Sequence, residues 1–396
     1  LTASLLVVNL SSCVDLDPEP LSFFAPENTF MDKEGLEALL ITSRKQIKWE
    51  WFGDAFNAGY CETPLVYEYA WSDISVMGAP EVKEIHNLET QLTPTTNMAL
   101  HLRYWDLAWN GIKYANTLIS RVPKSNIDNE DDKNQLLAEG YFHRAYWYYL
   151  LVNQWGDVPL LLEEVTGPKL DFYSTSRMKI LQQMKTDMEF AVKWLPKNVQ
   201  PGCVSRAAGE HLLAKIYLCT GDFQFAVDAT TRCINDYGLH LMKERFGVNA
   251  SDASLDVFND LFQEDNISAS ENKEAIFVVQ ERYGIEGNVA PKGSARMRNF
   301  VPYWCNGAAV KTPDGKQGTT YDAGPYEGYE WVEKLGRGIA KIRPTNYSQY
   351  AIWGKCGNDI RHNDNNWFNI SRLTYNRPAS KGGSEEYFGK PIERAF

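Results

Sequence analysis

Positive charge is in short supply in this chain of 396 residues, and so are long hydrophobic runs. Lysine and arginine number 40 against 51 aspartates and glutamates, which gives a net charge of −11. This balance argues against nucleic acids and anionic membrane surfaces as partners, because both are recognised through an excess of basic residues. The apolar run Leu5–Val8 is far shorter than the about 20 residues that a transmembrane helix needs. We therefore expect a soluble body with no helix across a membrane.

The short motifs that mark common catalytic and metal sites are also absent. The sequence contains no G-x-S-x-G, no H-E-x-x-H and no G-x-x-x-x-G-K-[ST]. Its seven cysteines form no C-x-x-C and no zinc-type Cys/His spacing, and "HNDNNW" (362–367) lacks the glycine and final glutamate of a calcium loop. Glu163–Glu164, Glu327 and Glu330 are available as glycosidase carboxylates, but neighbouring acids are usually a solvated surface. We expect no enzymatic activity.

The N-terminal stretch "LLVVNLSSC" (5–13) has the features of a secretory signal. A short apolar segment is followed by Leu10–Cys13, which resembles a bacterial lipobox in which Cys13 carries the lipid. We expect residues 1–12 to be a partial signal peptide, because an initiator methionine and leading positive residues are missing. Residues 13–30, acidic and rich in proline, would form a tether. The alternative is a frayed N-terminus with an ordinary buried cysteine.

Residues 31–240 have the hydrophobic periodicity of helices. Leucine, isoleucine and aromatic residues recur three and four positions apart, and capping residues, glycines and prolines separate the periodic segments. The predicted helices fall within 31–57, 97–122, 128–155, 174–196, 205–219 and 223–236. We therefore predict a mainly α fold.

The last two of these helices match the spacing of a tetratricopeptide pair. Small residues such as Ala214 and Ala226 allow the helices to approach, Tyr217 fills the gap, and Gly221 supplies the turn. Glu210 stands where the repeat usually has tryptophan. Because one repeat cannot bury its own face, the neighbouring helices should stack against it in an α-α superhelix.

The pattern changes beyond residue 240. "EAIFVVQERYG" (274–284) predicts a short strand, and the segments after it are rich in glycine and aromatic residues. Aromatic residues make up 13% of the whole chain, with 12 tryptophans and 21 tyrosines. We expect residues 241–396 to form an irregular, loop-rich lobe with little strand.

Three stretches, 104–123, 138–164 and 205–230, carry the most distinctive patterns of the chain. Together they resemble the SusD/RagB family of lipoproteins, and "NDIRHN" (358–363), with Asp359 and Arg361, resembles a later feature of that family. The second stretch is the most specific. Its matching residues are Ala138, Glu139, Arg144, Ala145, Tyr148, Leu151, Gly156, Asp157, Val158 and Pro159.

The resemblance implies a lipid-anchored protein on the surface of a Bacteroidetes-type cell, at the outer membrane. Such proteins capture oligosaccharides, and sometimes peptides, and deliver them to a partner TonB-dependent, SusC-like transporter. The implied fold is a set of tetratricopeptide-like helical pairs that supports an irregular ligand-binding lobe. The resemblance also implies no catalysis and no cofactor. Family members continue through a further helical pair, so we expect this chain to be truncated at both ends.

Aromatic residues beside short polar side chains on loops are the best candidates for a glycan site, because sugar C–H faces pack on rings and hydroxyls need hydrogen bonds. "YAWSDISVMG" (69–78) and "YWCNG" (303–307) fit best, and "YEGYEW" (326–331) fits less well. The candidate binding residues are Trp71, Asp73, Tyr303, Trp304, Asn306, Tyr326 and Trp331. Trp353 and Trp367 are weaker candidates. Each of these tryptophans could instead be a core residue.

Two other functions are compatible with the same pattern. The family also has a peptide-binding, RagB-like branch, and the sequence does not decide between glycan and peptide. A tetratricopeptide-type scaffold for protein partners would use the same helical pairs. The lipobox and the large aromatic second half argue against a scaffold, because an adaptor of that kind would continue its repeats.

Overall fold

The computed structural model describes residues 30–52, 69–70, 72–78, 93, 95, 99–282, 284–287, 299–305, 309–320, 335–336, 338, 340 and 342–392. Across these ranges the chain is mainly α-helical, as predicted. None of the helices in them combines the length and apolarity that crossing a bilayer requires.

The scaffold consists of long helices, each packed against the next one along the chain. They are α1 (Lys33–Trp51), α2 (Ala99–Arg121), α3 (Glu130–Trp155), α4 (Arg177–Trp194), α5 (Arg206–Thr220) and α6 (Phe223–Asn235). Their positions confirm the periodicity of the sequence. Two differences stand out: α1 ends at Trp51, before the predicted limit at residue 57, and Ser174–Thr175, before α4, forms a short strand instead of helix.

Local chemistry explains where these helices begin and end. Asn129 caps α3 by accepting hydrogen bonds from the backbone N–H groups of Asp131 and Asp132 at 2.8 and 3.3 Å. Gly156 follows its last residue with φ 74° and ψ −117°, a conformation in which only glycine is unstrained. Gly221 ends α5 in the left-handed conformation, so the chain reverses directly into α6.

One large core is shared by the helices α1 to α6, with Ile47 buried in it from α1, and a smaller core lies between α1, α2 and α3. Arg144 of α3 cross-links the large core: it forms an ion pair with Asp187 of α4 and donates to Asn116 of α2 and to the Leu162 carbonyl. Arg144 and Asp187 are both buried. The bonds of the Arg144 side chain therefore hold together the helices α2, α3 and α4 and the segment after α3 that contains Leu162.

Residues 274–282 contain no strand, which corrects the expectation for "EAIFVVQERYG". The apolar side chains of this segment pack against the helical core instead of joining a sheet. Ile276, Phe277 and Val279 are partly buried there, and the Phe277 ring lies edge-on to Phe142 of α3 at 5.8 Å. A run of β-forming residues thus serves as a packed strap across the scaffold.

The strands in the described ranges are short and form two antiparallel pairs. β1 (Ser75–Met77) pairs with β4 (Ile342–Pro344), and β2 (Val158–Pro159) pairs with β3 (Ser174–Thr175). After α6 the chain continues through loops, the short helix α7 (Val257–Leu261), a π-helical turn and several 3₁₀ turns. The loop-rich second half of the predicted fold is confirmed.

Candidate functional site

Several of the residues predicted to bind ligand, and the predicted lipidation site, lie outside the described residues. They are Cys13, Trp71, Asn306, Tyr326 and Trp331. Asp73, Tyr303 and Trp304 are described, and so are the weaker candidates Trp353 and Trp367.

Asp73 is exposed on the segment that leads into β1. The Thr345 hydroxyl donates to the Asp73 carbonyl at 2.7 Å, and the Thr345 N–H donates to the Ile74 carbonyl at 3.0 Å. The Ser348 hydroxyl also donates to Ile74. These bonds extend the β1–β4 pairing, so Asp73 lies beside the segment that continues towards Trp353.

The structure corrects the prediction for Trp304. Its side chain is only 3% exposed, and its indole N–H donates to the Gly336 carbonyl at 3.0 Å. The ring packs in a small core with Cys305 and Leu373, and Phe368 packs against this core. A ring with no open face cannot stack on a sugar, whereas the neighbouring Tyr303, at 39% exposure, remains accessible.

Trp353 and Trp367 come together with His362 in a compact cluster, which we call the aromatic triad. The rings of Trp353 and His362 are stacked, with centroids 4.7 Å apart and planes at 19°. Trp367 meets Trp353 edge-on at 5.3 Å and His362 at 4.7 Å. His362 is exposed and both tryptophans are half-buried, so the triad is part of the surface of the second half of the chain.

A charged pair flanks the triad. Asp359 begins a 3₁₀ turn (Ile360–His362) and accepts hydrogen bonds from the backbone N–H and the guanidinium of Arg361. These bonds lower the pKa of the Asp359 carboxyl to about 2. The guanidinium carbon of Arg361 lies 5.9 Å from the centre of the Trp353 ring, within cation–π range. The pair thus orients a cation against one ring of the triad.

A tight turn brings Trp367 back to His362. The Asn363 side-chain oxygen accepts from the backbone N–H groups of Asn365 and Asn366 at 3.0 and 3.1 Å. The Asn363 carbonyl accepts from Trp367 N–H at 2.8 Å. Asparagine favours such turns because its short amide side chain bonds to the backbone two residues on. The "HNDNNW" stretch is therefore a turn.

This arrangement suits binding by stacking and hydrogen bonding. The triad offers partly exposed aromatic surface, and Arg361 places a guanidinium over the Trp353 ring. Within the described ranges, no cluster of histidine, cysteine and acidic side chains is arranged to hold a metal ion.

The sequence analysis missed His362, because a histidine far from other histidines carries no motif. The signal that could have found it is local. His362 is five residues from Trp367 and nine from Trp353, and the asparagines between them predict a turn. Sequence alone does not say that this turn closes onto the Trp353 ring.

The comparisons with known proteins agree with this fold. Residues 62–218 match the model of a SusD-like family described as "Starch-binding associating with outer membrane". The chain is also similar to SusD-like protein P2 of Formosa agariphila, with 29% identity over 240 residues. That alignment covers 60% of this chain and 46% of the relative, so the matched part spans less than half of the relative's length.

Solved structures share the architecture at low sequence identity. Surface glycan-binding protein A from Bacteroides thetaiotaomicron gives a TM-score of 0.57 at 16% identity, covering 82% of this chain and 61% of that one. A SusD-like carbohydrate-binding protein from Bacteroides fragilis gives 0.55 at 18% identity, covering 80% and 52%. A laminarin-binding SusD-like protein gives 0.51 at 20% identity, covering 76% and 64%. Residues 62–218 thus resemble a SusD-like family in sequence, and the chain shares the fold of SusD-like proteins.

Proposed function

We propose that this protein binds carbohydrate at the bacterial cell surface without catalysing a reaction, and that the aromatic triad is part of its binding site. The observation that supports this most is the surface cluster of Trp353, His362 and Trp367 with Arg361 at its edge. Sugar C–H faces pack on such rings, and guanidinium donors bind hydroxyl oxygens. The matched family and several structural neighbours carry starch, glycan or laminarin in their descriptions, which supports the same ligand class here.

The test is a calorimetric titration of the protein with soluble starch, laminarin, a panel of plant, host and fungal polysaccharides, and mixed peptides. We expect saturable heat with one glycan class. Trp367→Ala should weaken that binding about tenfold, because losing one stacked ring removes on the order of 1–2 kcal/mol. Tyr173→Ala is the matched control, since it removes an exposed ring from the loop before β3.

Binding of peptides alone would assign the protein to the RagB-like, peptide-capturing alternative. Equal glycan affinity in Trp367→Ala and in the wild type would remove the triad from the binding site. The absence of binding heat with every ligand would contradict the binding function itself and would favour a tetratricopeptide-type scaffold for protein partners.

We further propose an outer-membrane address with a lipid on Cys13, and transfer of the ligand to a partner TonB-dependent, SusC-like transporter. The description of the matched family supports the membrane association, and the lipobox-like sequence supports the anchor. Expression of the precursor with Cys13→Ala should release the protein from the outer-membrane fraction. Retention in that fraction would contradict the lipid anchor. If no transporter of this kind co-purifies with the protein after mild solubilisation, the proposed partnership with a SusC-like transporter would be contradicted.

A further inference from the structure

One carboxylate connects the short helix α7 with the turn that carries the triad. Oδ1 of Asp256 accepts from the backbone N–H groups of Phe258 and Asn259 at 3.0 and 3.2 Å, and so caps α7. Oδ2 accepts from the side-chain amides of Asn363 and Asn366 at 2.7 and 2.8 Å. The two partners lie more than a hundred residues further along the chain, so this is a tertiary contact.

The loop behind Asp256 is held rigidly. Arg245 forms an ion pair with the fully buried Asp260 of α7, and its guanidinium also donates to the backbone carbonyls of Asn249, Asp252 and Leu255. Bonds from one cation to both ends of the loop fix the position of α7. Asp256 therefore lies at the start of a helix whose position is fixed by Arg245.

The turn that contains Asn363 and Asn366 is bound to Asp256 through the side-chain amides of both residues. The Asn366 amide also donates to the Ile360 carbonyl at 2.8 Å. His362 and Trp367 are the residues on either side of this turn. A displacement of this turn would therefore move these two residues relative to Trp353.

We propose that Asp256 is a positioning residue that holds the aromatic triad in its binding geometry, an inference that rests on the proposed function for its effect on ligand. Burial raises the pKa of Asp256, but hydrogen bonds from Asn363, Asn366 and the backbone of α7 outweigh it and lower the pKa overall. The carboxylate is ionised at neutral pH and accepts from four donors. Carboxylates bind N–H groups about twice as strongly as neutral acceptors do.

Asp256→Asn is the sharpest perturbation. Asparagine is as good a helix cap as aspartate, so α7 keeps its start. Its NH₂ group, however, would face the amides of Asn363 and Asn366 when its oxygen caps the helix. If the side chain flips, the NH₂ group faces the backbone N–H groups instead. In either orientation the NH₂ group of the new asparagine faces N–H donors, either of the two asparagine amides or of the α7 backbone, and those hydrogen bonds are lost.

Asp252→Asn is the matched control. It makes the same change of charge in the same loop, and the Asp252 carboxylate accepts only local bonds, from Ser254 N–H and Ser254 Oγ. Asn366→Ala is the second variant: it removes the donors to Asp256 and to the Ile360 carbonyl and leaves the Asp256 side chain intact.

The primary measurement needs no ligand. In protein labelled with 5-fluorotryptophan, with resonances assigned by single Trp→Phe variants, Asp256→Asn and Asn366→Ala should shift or broaden the fluorine signals of Trp353 and Trp367. The signal of Trp304, in the core nearby, should stay in place, as should all signals in Asp252→Asn. Unmoved triad signals in both variants would overturn the proposal. If Asp256→Asn fails to fold, Asn366→Ala decides alone.

The second measurement is the affinity for laminarin or soluble starch, whichever the wild type binds. We expect a loss of about tenfold in Asp256→Asn and none in Asp252→Asn, as coupled groups in one hydrogen-bond network show. Unchanged affinity in Asp256→Asn would overturn the positioning role while the proposed function stands. A wild type that binds no polysaccharide of the panel would count against the proposed function, and the fluorine signals would still decide whether Asp256 positions the rings.

Discussion

Replacing Trp304 with alanine is expected to lower the free energy of unfolding by about 4 kcal/mol. Truncation of a buried tryptophan to alanine costs on the order of 3–5 kcal/mol through lost burial and the cavity left behind. Trp304 is 3% exposed and packs with Cys305 and Leu373, so the full cavity cost applies. The Gly336 carbonyl also loses its indole donor, which adds about 1 kcal/mol if no water replaces it.

The assay is urea denaturation followed by far-UV circular dichroism, together with thermal melts. If the chain unfolds as one unit, a loss of this size lowers Tm by about 5 °C. Trp304→Phe separates the two contributions, since it keeps most of the apolar burial and removes the N–H, and should cost about 1–2 kcal/mol. Tyr303→Ala is the exposed neighbour and should change stability by less than about 1 kcal/mol.

The opposite pattern would refute the reasoning. If Trp304→Ala unfolds within about 0.5 kcal/mol of the wild type, the ring is not part of the core. Loss of glycan binding in a Trp304→Ala variant of unchanged stability would restore Trp304 as a ligand-stacking residue.

Three further changes test the scaffold. Gly111→Ala would place a Cβ 2.1 Å from Nε1 of the buried Trp147, so overpacking should lower stability by about 1–3 kcal/mol despite the better helix propensity, as measured by urea denaturation. Gly156→Ala meets no atom within 4 Å, so its expected loss of about 1–3 kcal/mol is backbone strain alone, and an unchanged Tm would contradict it. Burial raises the pKa of Glu139, but the ion pair with Arg44 contributes to an overall lowering. The stabilisation is therefore present above the unfolded pKa of about 4.3 and is lost as pH falls through the lower folded value, so the stability gap to Glu139→Gln should shrink in denaturation below about pH 4.

The helical scaffold could be predicted from the sequence because its determinants are local. Apolar spacing marked α1 to α6, and Gly221 marked the turn between α5 and α6. Each of these signals acts within a few residues, as caps and periodicity do. The segment 274–282 was mispredicted because its β-forming side chains are used for packing on Phe142, which is a tertiary choice.

The candidate site could be predicted only in part. Composition indicated aromatic loops as candidate binding regions, but it favoured Trp304, which is buried, over Trp353 and Trp367, which are partly exposed. Burial of one ring and exposure of another depend on which loop covers them, and this is a property of long-range packing. The pairing of β1 with β4 and the contact of Asp256 with the turn likewise join segments that are distant in sequence.

Titration of the 5-fluorotryptophan-labelled protein with the glycan it binds best tests the central claim most directly. The account predicts a saturable change in the fluorine signals of Trp353 and Trp367, with the signal of Trp304 unmoved. Saturable binding that leaves both triad signals in place would contradict the account, because the glycan would then bind elsewhere on the protein.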